Sequence, residues 1–324
     1  PMSSTATSMS RRPCGNASRP PSRSRTTGRT SRRNLRRGRT GLIALGIPSF
    51  DDHCYAELAQ HGVAAAERHH LTVLVDCTFG SLERERHVLD GFRTHMVDGL
   101  ILCPRAIDTE DLRDRRDPTP LVLLGEREHL TADNVAVDSR DVARAAVEHL
   151  VALGRTCIGV VGFGTAAADD VMAARRLEGC RIGLAEAGHS RGDERIVILS
   201  HAHRPDDAGV AAVRLLREHP EIDALFCFND EFAVRVVRDL LEAGHRVPED
   251  VAVLGIDDLD LCEMTRPRIS TIAPNKAAIA ESALTMLIDR IDGNEEPPRH
   301  VRADFSLVVR ESTGSDWPPS DWKM

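Results

Sequence analysis

The sequence predicts an α/β protein made of two doubly wound parallel-sheet lobes. Three observations carry this prediction: short apolar runs recur along the chain, amphipathic stretches of helical length separate them, and glycines follow those stretches. Continuously apolar runs are typical of strands buried on both faces, and regular β-α alternation is typical of doubly wound sheets. Because the runs are too many for one compact sheet of this type, we expect two lobes with a cleft between them.

Eight apolar runs are the expected strands. They are Leu42–Ile47, Leu71–Val75, Gly99–Cys103, Leu121–Leu124, Cys157–Val161, Arg195–Leu199, Ala224–Phe228 and Val251–Ile256. Between them, residues 205–218 and 229–243 carry apolar residues at helical spacing and are expected helices. Gly154, Gly188 and Gly244 stand where such helices should end, because glycine adopts the left-handed conformation at low cost.

The charge of the chain is distributed unevenly. Residues 1–40 contain eleven Arg and no Asp or Glu, so the remaining residues carry a formal charge of −19 within a total of −8. A basic segment of this kind can attract nucleic acid, but it can also be a solvated tail, and composition leaves both open. Residues 1–30 lack an apolar period and are expected to be disordered.

Neither export nor membrane insertion is expected from the sequence. No apolar run approaches the ~20 residues of a membrane-spanning helix, and no secretory leader is visible as written. The eight cysteines show no CxxC or other metal-ligand spacing. We therefore expect reduced thiols in a cytoplasmic protein without a bound metal.

Motifs of catalysis are weak or missing. The segment "GFGTAA" at 162–167 imitates a dinucleotide-binding loop, but no acidic residue ends a strand about twenty residues later. His201 and His203 have no evident third metal ligand, and no GxSxG, HExxH or phosphate-binding loop occurs. The sequence therefore predicts a binding protein rather than an enzyme, with no cofactor.

Several stretches in fixed order carry a family resemblance over about residues 31–312. They are "NLRRGRTGLIALGIPSF" (34–50), "VDGLILCP" (97–104), "PLVLLGER" (120–127), "VAVDSRDVARAAVEHLVALGRTCIGVVG" (135–162), "RRLEGCRIGLAEAG" (175–188), "ALFCFNDEFA" (224–233), "GHRVPEDVAVLGIDDLDL" (244–261), "RPRISTIAPN" (266–275) and "LVVRES" (307–312). In these stretches the chain resembles the lactose-repressor (LacI/GalR) family of bacterial regulators.

The resemblance implies a fold like that of the type I periplasmic sugar-binding proteins. The chain would pass between the lobes near residues 138, 273 and 303. An N-terminal lobe would comprise 41–138 plus 276–302, and a C-terminal lobe 139–275 plus 303–312. Residues 313–324 would form a loose tail.

The family's DNA-binding head is not recognisable in residues 1–30. The resemblance implies a helix-turn-helix there, so we expect it to be degraded or absent as written, through either a misread reading frame or true loss. Residues 31–40 resemble the hinge that follows the head. By this resemblance Leu35 would wedge into the minor groove of operator DNA. Arg36, Arg37 and Arg39 would meet phosphates.

Ligands of parallel sheets bind beyond the carboxyl ends of the strands, and those ends supply the candidate cleft residues. They include Ser49, Phe50, Glu126, Asn229, Asp230, Asp257 and Asp258. Carboxylates and amides can pair with neighbouring hydroxyls, which suits a polyol ligand. Some of these residues also have a structural interpretation: Asp230 and Asp258 could cap helices, and Glu126 could form a surface pair with Arg127.

The resemblance ranks these candidates. Arg176 and Asp257 match the effector-contacting residues of the family, and Asn229 matches a cleft amide of sugar-responsive members. Asp170 and Met172 lie where family members often touch ligand. We therefore expect a DNA-binding transcriptional regulator, a repressor, that is controlled by a sugar effector.

The resemblance also implies a homodimer, formed through helix 53–69 and segment 259–268. Two other functions stay open at this point. A stand-alone sugar-binding receptor or transport protein would need no DNA-binding head but would need export. An enzyme on the same scaffold is the third possibility.

Overall fold

A computed structural model describes residues 39–90, 96–126, 131–162, 171–189, 196–199 and 205–314. Its strands form two six-stranded sheets. The strands are β1 (Leu42–Ile47), β2 (Thr72–Cys77), β3 (Gly99–Leu102), β4 (Leu121–Leu124), β5 (Asp133–Ala136), β6 (Ile158–Val161), β7 (Ile196–Leu199), β8 (Ala224–Cys227), β9 (Ala252–Ile256), β10 (Ser270–Pro274), β11 (His300–Arg302) and β12 (Phe305–Val308).

Helices alternate with these strands along the chain. Within the ranges given above they are α1 (His53–Arg68), α2 (Leu82–Leu89), α3 (Thr109–Asp114), α4 (Ser139–Ala152), α5 (Val171–Glu186), α6 (Pro205–Glu218), α7 (Asp230–Glu242), α8 (Leu261–Met264) and α9 (Lys276–Ile291). Side-chain oxygens of Asp52, Asp108 and Asp138 accept backbone N–H groups at the starts of α1, α3 and α4. Such caps satisfy N–H groups that have no partner within the helix.

The first sheet has the strand order β11-β5-β4-β3-β1-β2, and all its strands are parallel. Its two faces carry separate cores because side chains alternate along a strand. Ile43 and Leu45 of β1 pack toward α1 and α9, whereas Ala44 packs with residues of α2 and α3.

The second sheet has the order β12-β10-β9-β8-β6-β7, in which β12 is antiparallel and the other strands are parallel. One face is covered by α4 and α5 and the other by α6 and α7. At the contact between α4 and α5, a Cβ on Gly179 would lie 2.2 Å from the Arg140 carbonyl oxygen. Only glycine allows the two helices to approach this closely.

The chain passes between the sheets three times: between β5 and α4, between β10 and α9, and between β11 and β12. The predicted fold class of two doubly wound parallel-sheet lobes is therefore confirmed. The helices predicted at 205–218 and 229–243 are α6 and α7. The seven cysteines in the described residues are free, and five of them are buried.

Four strands were not predicted from apolar runs in the sequence. They are β5, β10, β11 and β12, and each is short and carries polar residues. In β5, Asp133 and Asn134 are only 1% and 5% exposed. These two side chains are buried through ion pairs and hydrogen bonds rather than among apolar residues. Apolar runs in the sequence therefore do not predict β5.

The boundary predicted for the C-terminal tail is wrong at its first residue. Thr313 is buried, and its hydroxyl lies 2.7 Å from the Ser270 hydroxyl and 3.0 Å from Nε2 of His149. It belongs to a short 3₁₀ helix, Glu311–Thr313, that packs against the second sheet. Residues 315–324 and 1–38 lie outside the described part of the chain.

Asp133 anchors one edge of the first sheet. Its carboxylate accepts hydrogen bonds from Nη2 of Arg290 at 2.8 Å, and from Nη2 and the backbone N–H of Arg299 at 2.9 and 2.8 Å. Burial alone would raise the pKa of Asp133, but these hydrogen bonds outweigh it and lower the pKa from 3.8 to about 2. The carboxylate thus ties α9 and the approach to β11 to the start of β5.

We predict that Asp133→Asn lowers the free energy of unfolding by about 3 kcal/mol at pH 7, because two arginines lose a buried charged partner. The pKa of Asp133 is lower in the folded state than in the unfolded state. The difference in unfolding free energy between wild type and Asp133→Asn should therefore be complete above about pH 4 and shrink as the pH falls toward 2. Urea unfolding followed by circular dichroism measures it. Glu218→Gln, which removes an exposed ion pair with Arg214, is the control. Equal effects of the two variants would contradict the prediction.

Candidate functional site

The carboxyl ends of strands from both sheets border one cavity of about 810 Å³. Ser49 follows β1, Glu126 follows β4, and both line the wall on the side of the first sheet. Asn229 follows β8 and Asp257 follows β9 on the side of the second sheet. This is where parallel α/β sheets place ligands.

Arg176 reaches the cavity from α5. Its Nη1 donates to the carbonyl oxygen of Phe228, and its Nε lies 3.3 Å from the Ser139 hydroxyl oxygen. The guanidinium carbon stands 5.7 Å from the centre of the Phe228 ring. The cation is therefore fixed against the second sheet and presents an edge to the cavity.

Asp257 is only 8% exposed. Burial raises the pKa of its carboxyl group well above 3.8, and repulsion from Asp230 adds to the shift, whereas Arg176 and Lys276 oppose it. A carboxyl group at this place can accept hydrogen bonds from the hydroxyl groups of a ligand.

Asn229 combines a structural and a cavity role. Its side-chain oxygen accepts the backbone N–H of Phe232 at 2.9 Å and so caps α7. The residue also lines the cavity. Because the oxygen is engaged by the helix, the amide nitrogen is the group that can meet a ligand.

Glu126 bridges the two lobes. Its carboxylate accepts the backbone N–H of Ser139 at 3.0 Å and lies 3.4 Å from Nη1 of Arg175 on α5. Burial raises the pKa of Glu126 despite the Ser139 hydrogen bonds. The alternative of a surface pair with Arg127 does not hold on the side of Glu126, which is only 6% exposed, and Arg127 lies outside the described residues.

A second bridge joins the first turns of α1 and α7. Nδ1 of His53 lies 2.6 Å from Oε1 of Glu231, which also accepts the His53 backbone N–H at 3.2 Å. Half of the His53 side chain is exposed. The protein itself therefore spans the cleft at a solvent-exposed contact and at a buried one.

Among the other candidates, Ser49 and Met172 line the cavity, whereas Phe50 and Asp230 do not. Phe50 is 54% exposed and lies one residue beyond the cavity wall. The ligand contact expected for Asp230 is wrong, because its side chain is fully buried and its oxygens accept from Leu259 N and Thr271 Oγ1. Nor does Asp230 cap the helix, since Asn229 does. The contact expected for Phe50 stays a prediction.

Of the remaining expected residues, the structure describes Asp258 and Arg39. Asp258 does not cap a helix with its side chain; it forms an ion pair with Arg310 at 2.7 Å. Asp170 lies outside the described residues. So do Leu35, Arg36 and Arg37, whereas Arg39 is the first described residue.

The cavity also has lining residues that the sequence argument missed. They are Asp52, Tyr55, Arg105 and Lys276. Arg105 lies three residues after β3, so the rule of strand ends would have found it had the rule been applied to that strand. Lys276 stands directly after the second passage between the sheets. Asp52 caps α1, a role that hides any second function in the sequence.

Lys276 and Arg105 are both fixed by residues outside the cavity wall. Nζ of Lys276 pairs with the Glu57 carboxylate on α1. The turn that carries Arg105 is held by Glu85, a fully buried carboxylate that accepts the backbone N–H groups of 105, 106 and 107 at 2.8–2.9 Å. The cavity wall of the first sheet is thus preorganised by two acidic residues.

The chemistry of the wall favours an uncharged, hydroxyl-rich ligand. Its carboxyl groups (Asp52, Glu126, Asp257) are matched in number by its cations (Arg105, Arg176, Lys276). Neither sign dominates, so the wall does not select a strongly charged molecule. In the part of the chain described here, no group of His, Cys, Asp and Glu has the arrangement of a metal site. Nor is any helix in that part long and apolar enough to cross a membrane.

Comparison with known proteins agrees with this geometry. A family model for a periplasmic binding protein-like domain matches residues 147–313. The transcriptional repressor PurR of Aliivibrio fischeri, of the HTH type, is 26% identical over 284 residues, which cover 86% of this chain and 83% of PurR.

Solved structures give the same result. A LacI-family transcriptional regulator from Sanguibacter keddieii has a TM-score of 0.76 and 36% identity, covering 86% of this chain and all of its own. The complex of the regulator CelR with cellobiose has a TM-score of 0.72 and 24% identity, covering 90% of this chain and 92% of that one. At that identity the CelR match shows the fold alone.

Fold and cleft together define a protein of the periplasmic-binding-protein-like class. Within that class, the chain belongs to the LacI family of transcriptional regulators. The resemblance found in the sequence is thereby confirmed.

Glu126 offers a test of the buried bridge. We predict that Glu126→Gln changes the free energy of unfolding by less than about 1 kcal/mol, because the amide oxygen still accepts the Ser139 N–H and Arg175, whose side chain is 28% exposed, keeps its contact with water. Glu126→Ala should cost about 1–3 kcal/mol, since it leaves that N–H without an acceptor. Urea unfolding at pH 7 compares them. Equal losses in both variants would argue that the charge, not the hydrogen bond, holds the bridge.

Proposed function

We propose that this regulator binds a neutral carbohydrate in the cleft and that the bound sugar sets its affinity for operator DNA. The observation that carries the proposal is the convergence of Arg176, Asn229 and Asp257 on one cavity between the two sheets. A guanidinium, an amide and a carboxyl group supply donors and acceptors for neighbouring ring hydroxyls. CelR, which has the same fold, is seen with cellobiose.

Aromatic side chains in the wall complete the fit to a sugar. Phe79 lines the cavity with 69% of its surface exposed, and the Arg84 guanidinium carbon lies 4.7 Å from the centre of its ring. Phe232 and Tyr55 line the cavity as well. Exposed ring faces can cover the apolar C–H face of a sugar.

Control of DNA binding would follow from the position of the ligand. A sugar that touches Glu126 in the first lobe and Arg176 in the second stabilises one relative placement of the lobes. It shifts the equilibrium only by the difference in its affinity for the two placements. Such a ligand changes operator affinity when one placement suits DNA better.

The DNA contact itself is proposed for residues 31–40. Leu35 would insert into the minor groove, and Arg36, Arg37 and Arg39 would meet phosphates, as the family resemblance implies. Operator binding places the protein with the chromosome, in the cytoplasm, where it would act as a repressor.

A homodimer would present two such hinges to a two-fold operator. The expected dimer surfaces, helix 53–69 and segment 259–268, expose apolar side chains: Val63 is 40% and Met264 is 74% exposed. Exposed apolar side chains on both lobes are consistent with a second copy packing side by side.

We predict that Arg176→Ala and Asp257→Asn each weaken sugar binding at least tenfold, because each removes a charged or acidic hydrogen-bonding group from the cavity. Isothermal titration calorimetry with glucose, ribose and cellobiose, and with glucose 6-phosphate as a charged comparison, measures this.

Glu242→Gln, on the exposed end of α7, is the matched control and should bind like wild type. Tighter binding of the phosphorylated sugar would contradict a neutral effector. Unchanged affinity in both cleft variants would remove the cavity as the binding site.

For the dimer, we predict that Val63→Asp and Met264→Asp each raise the dimer dissociation constant above that of wild type, because a carboxylate would be buried against the second copy. Sedimentation velocity over a range of concentrations measures the dissociation constant. Val210→Asp, at a 69% exposed position on α6, should leave it unchanged. Dimers of equal stability in all three variants would place the interface elsewhere.

A further inference from the structure

Two consecutive aspartates at the end of β9 have an uncommon backbone. The φ angles of Asp257 and Asp258 are +115° and +51°. Residues with a Cβ rarely adopt positive φ, and two in succession persist only where surrounding contacts hold them. This turn carries the Asp257 carboxyl group into the cavity, so the contacts that hold the turn bear on ligand binding.

Asp230 and Thr271 hold the backbone of the turn from below. The Asp230 carboxylate accepts the N–H of Leu259 at 2.9 Å and the Thr271 hydroxyl at 2.8 Å. The same hydroxyl oxygen lies 3.3 Å from the N–H of Asp258. Both amides that follow Asp257 therefore bond to this buried pair.

Gly255 supplies the room for the Asp230 carboxylate. A Cβ at this position would lie 2.0 Å from Oδ1 of Asp230. The strand that ends in the turn is thus shaped to admit the fully buried carboxylate beside it. Two neighbouring residues at the start of α7 thus contribute to the cleft: Asn229 lines the cavity, and Asp230 bonds to the turn that carries Asp257.

Arg310 holds the side chain of Asp258. Its Nη2 donates to Oδ1 of Asp258 at 2.7 Å, its Nε to Glu263 at 2.6 Å, and its Nη1 to the Ile269 carbonyl oxygen at 2.9 Å. Arg310 is 8% exposed, whereas the side chains of Asp258 and Glu263 are 33% and 48% exposed, so the cation is buried and its two carboxylate partners face water. These bonds join the turn to α8 and to the start of β10.

We propose that Arg310, Asp230 and Thr271 are positioning residues that decide which of the two adjacent carboxyl groups enters the cleft. Arg310 draws Asp258 outward, and the bonds of Asp230 and Thr271 keep the left-handed backbone that turns Asp257 inward. The proposal rests on the proposed function, which gives Asp257 a ligand.

The test compares Arg310→Met, Arg310→Lys and the control Arg268→Met. Arg268 pairs with Glu263 and Glu311 beside Arg310 but does not bond to Asp258. Hydrogen–deuterium exchange of the amides of residues 257–259 reports on the turn. Calorimetry with the panel sugar that wild type binds most tightly reports on Asp257.

In Arg310→Met we expect exchange at 257–259 at least tenfold faster and sugar binding at least tenfold weaker, with partial recovery in Arg310→Lys and wild-type behaviour in Arg268→Met. Adding Asp257→Asn to Arg310→Met should cause no further loss of affinity, because both changes act through one group.

The same exchange and affinity in Arg310→Met as in Arg268→Met would overturn the proposal. If Arg310→Met does not fold, Asp258→Asn tests the same ion pair from its other end with the same two readouts. If wild type binds none of the sugars, the proposed function fails while the exchange experiment still decides whether Arg310 holds the turn.

Discussion

Three polar residues of the cleft, Arg176, Glu126 and Asn229, are each held by a second contact inside the protein, and the rest of the site depends on this constraint. Arg176 is bonded to the Phe228 carbonyl oxygen, Glu126 accepts the Ser139 N–H, and Asn229 caps a helix. A buried polar group without a partner is costly, so such groups are retained only where they are satisfied. The contacts that stabilise the fold therefore also orient the groups that would meet a ligand, and little side-chain entropy remains to be lost on binding.

Apolar periodicity was enough to predict the two sheets, because most strands are buried by apolar side chains on both faces. It failed at β5 and β10, where burial is satisfied by polar contacts such as those of Asp133 and Ser270. The rule of strand ends then located the cleft, since both sheets direct their carboxyl ends toward it. The rule could not find Lys276, which stands at the start of a helix and enters the wall only because the chain changes lobes just before it.

The sequence alone does not predict which of two adjacent residues at a strand end faces the cavity. At three strand ends two neighbouring candidates occur, and in each case only the first lines the cavity: Ser49 before Phe50, Asn229 before Asp230, and Asp257 before Asp258. Which neighbour faces inward is set by the backbone angles of the turn and by distant side chains, as with the Asp258–Arg310 pair. Neither is visible in the local sequence. Family resemblance supplied the choice for Asp257 and Asn229, and where it was silent, as for Asp230, the prediction was wrong.

The contacts that His53 and Glu126 make across the cleft bear on how a ligand could control the lobes. The His53–Glu231 contact is half exposed and therefore screened by water, so it adds little to holding the lobes together. The Glu126 bridge is buried, but its stronger bond is to Ser139, which lies on the passage between the lobes rather than across the cavity. These two contacts thus favour one lobe placement only weakly. A ligand with hydrogen bonds to both walls adds a larger difference between placements, which is the thermodynamic requirement for an effector.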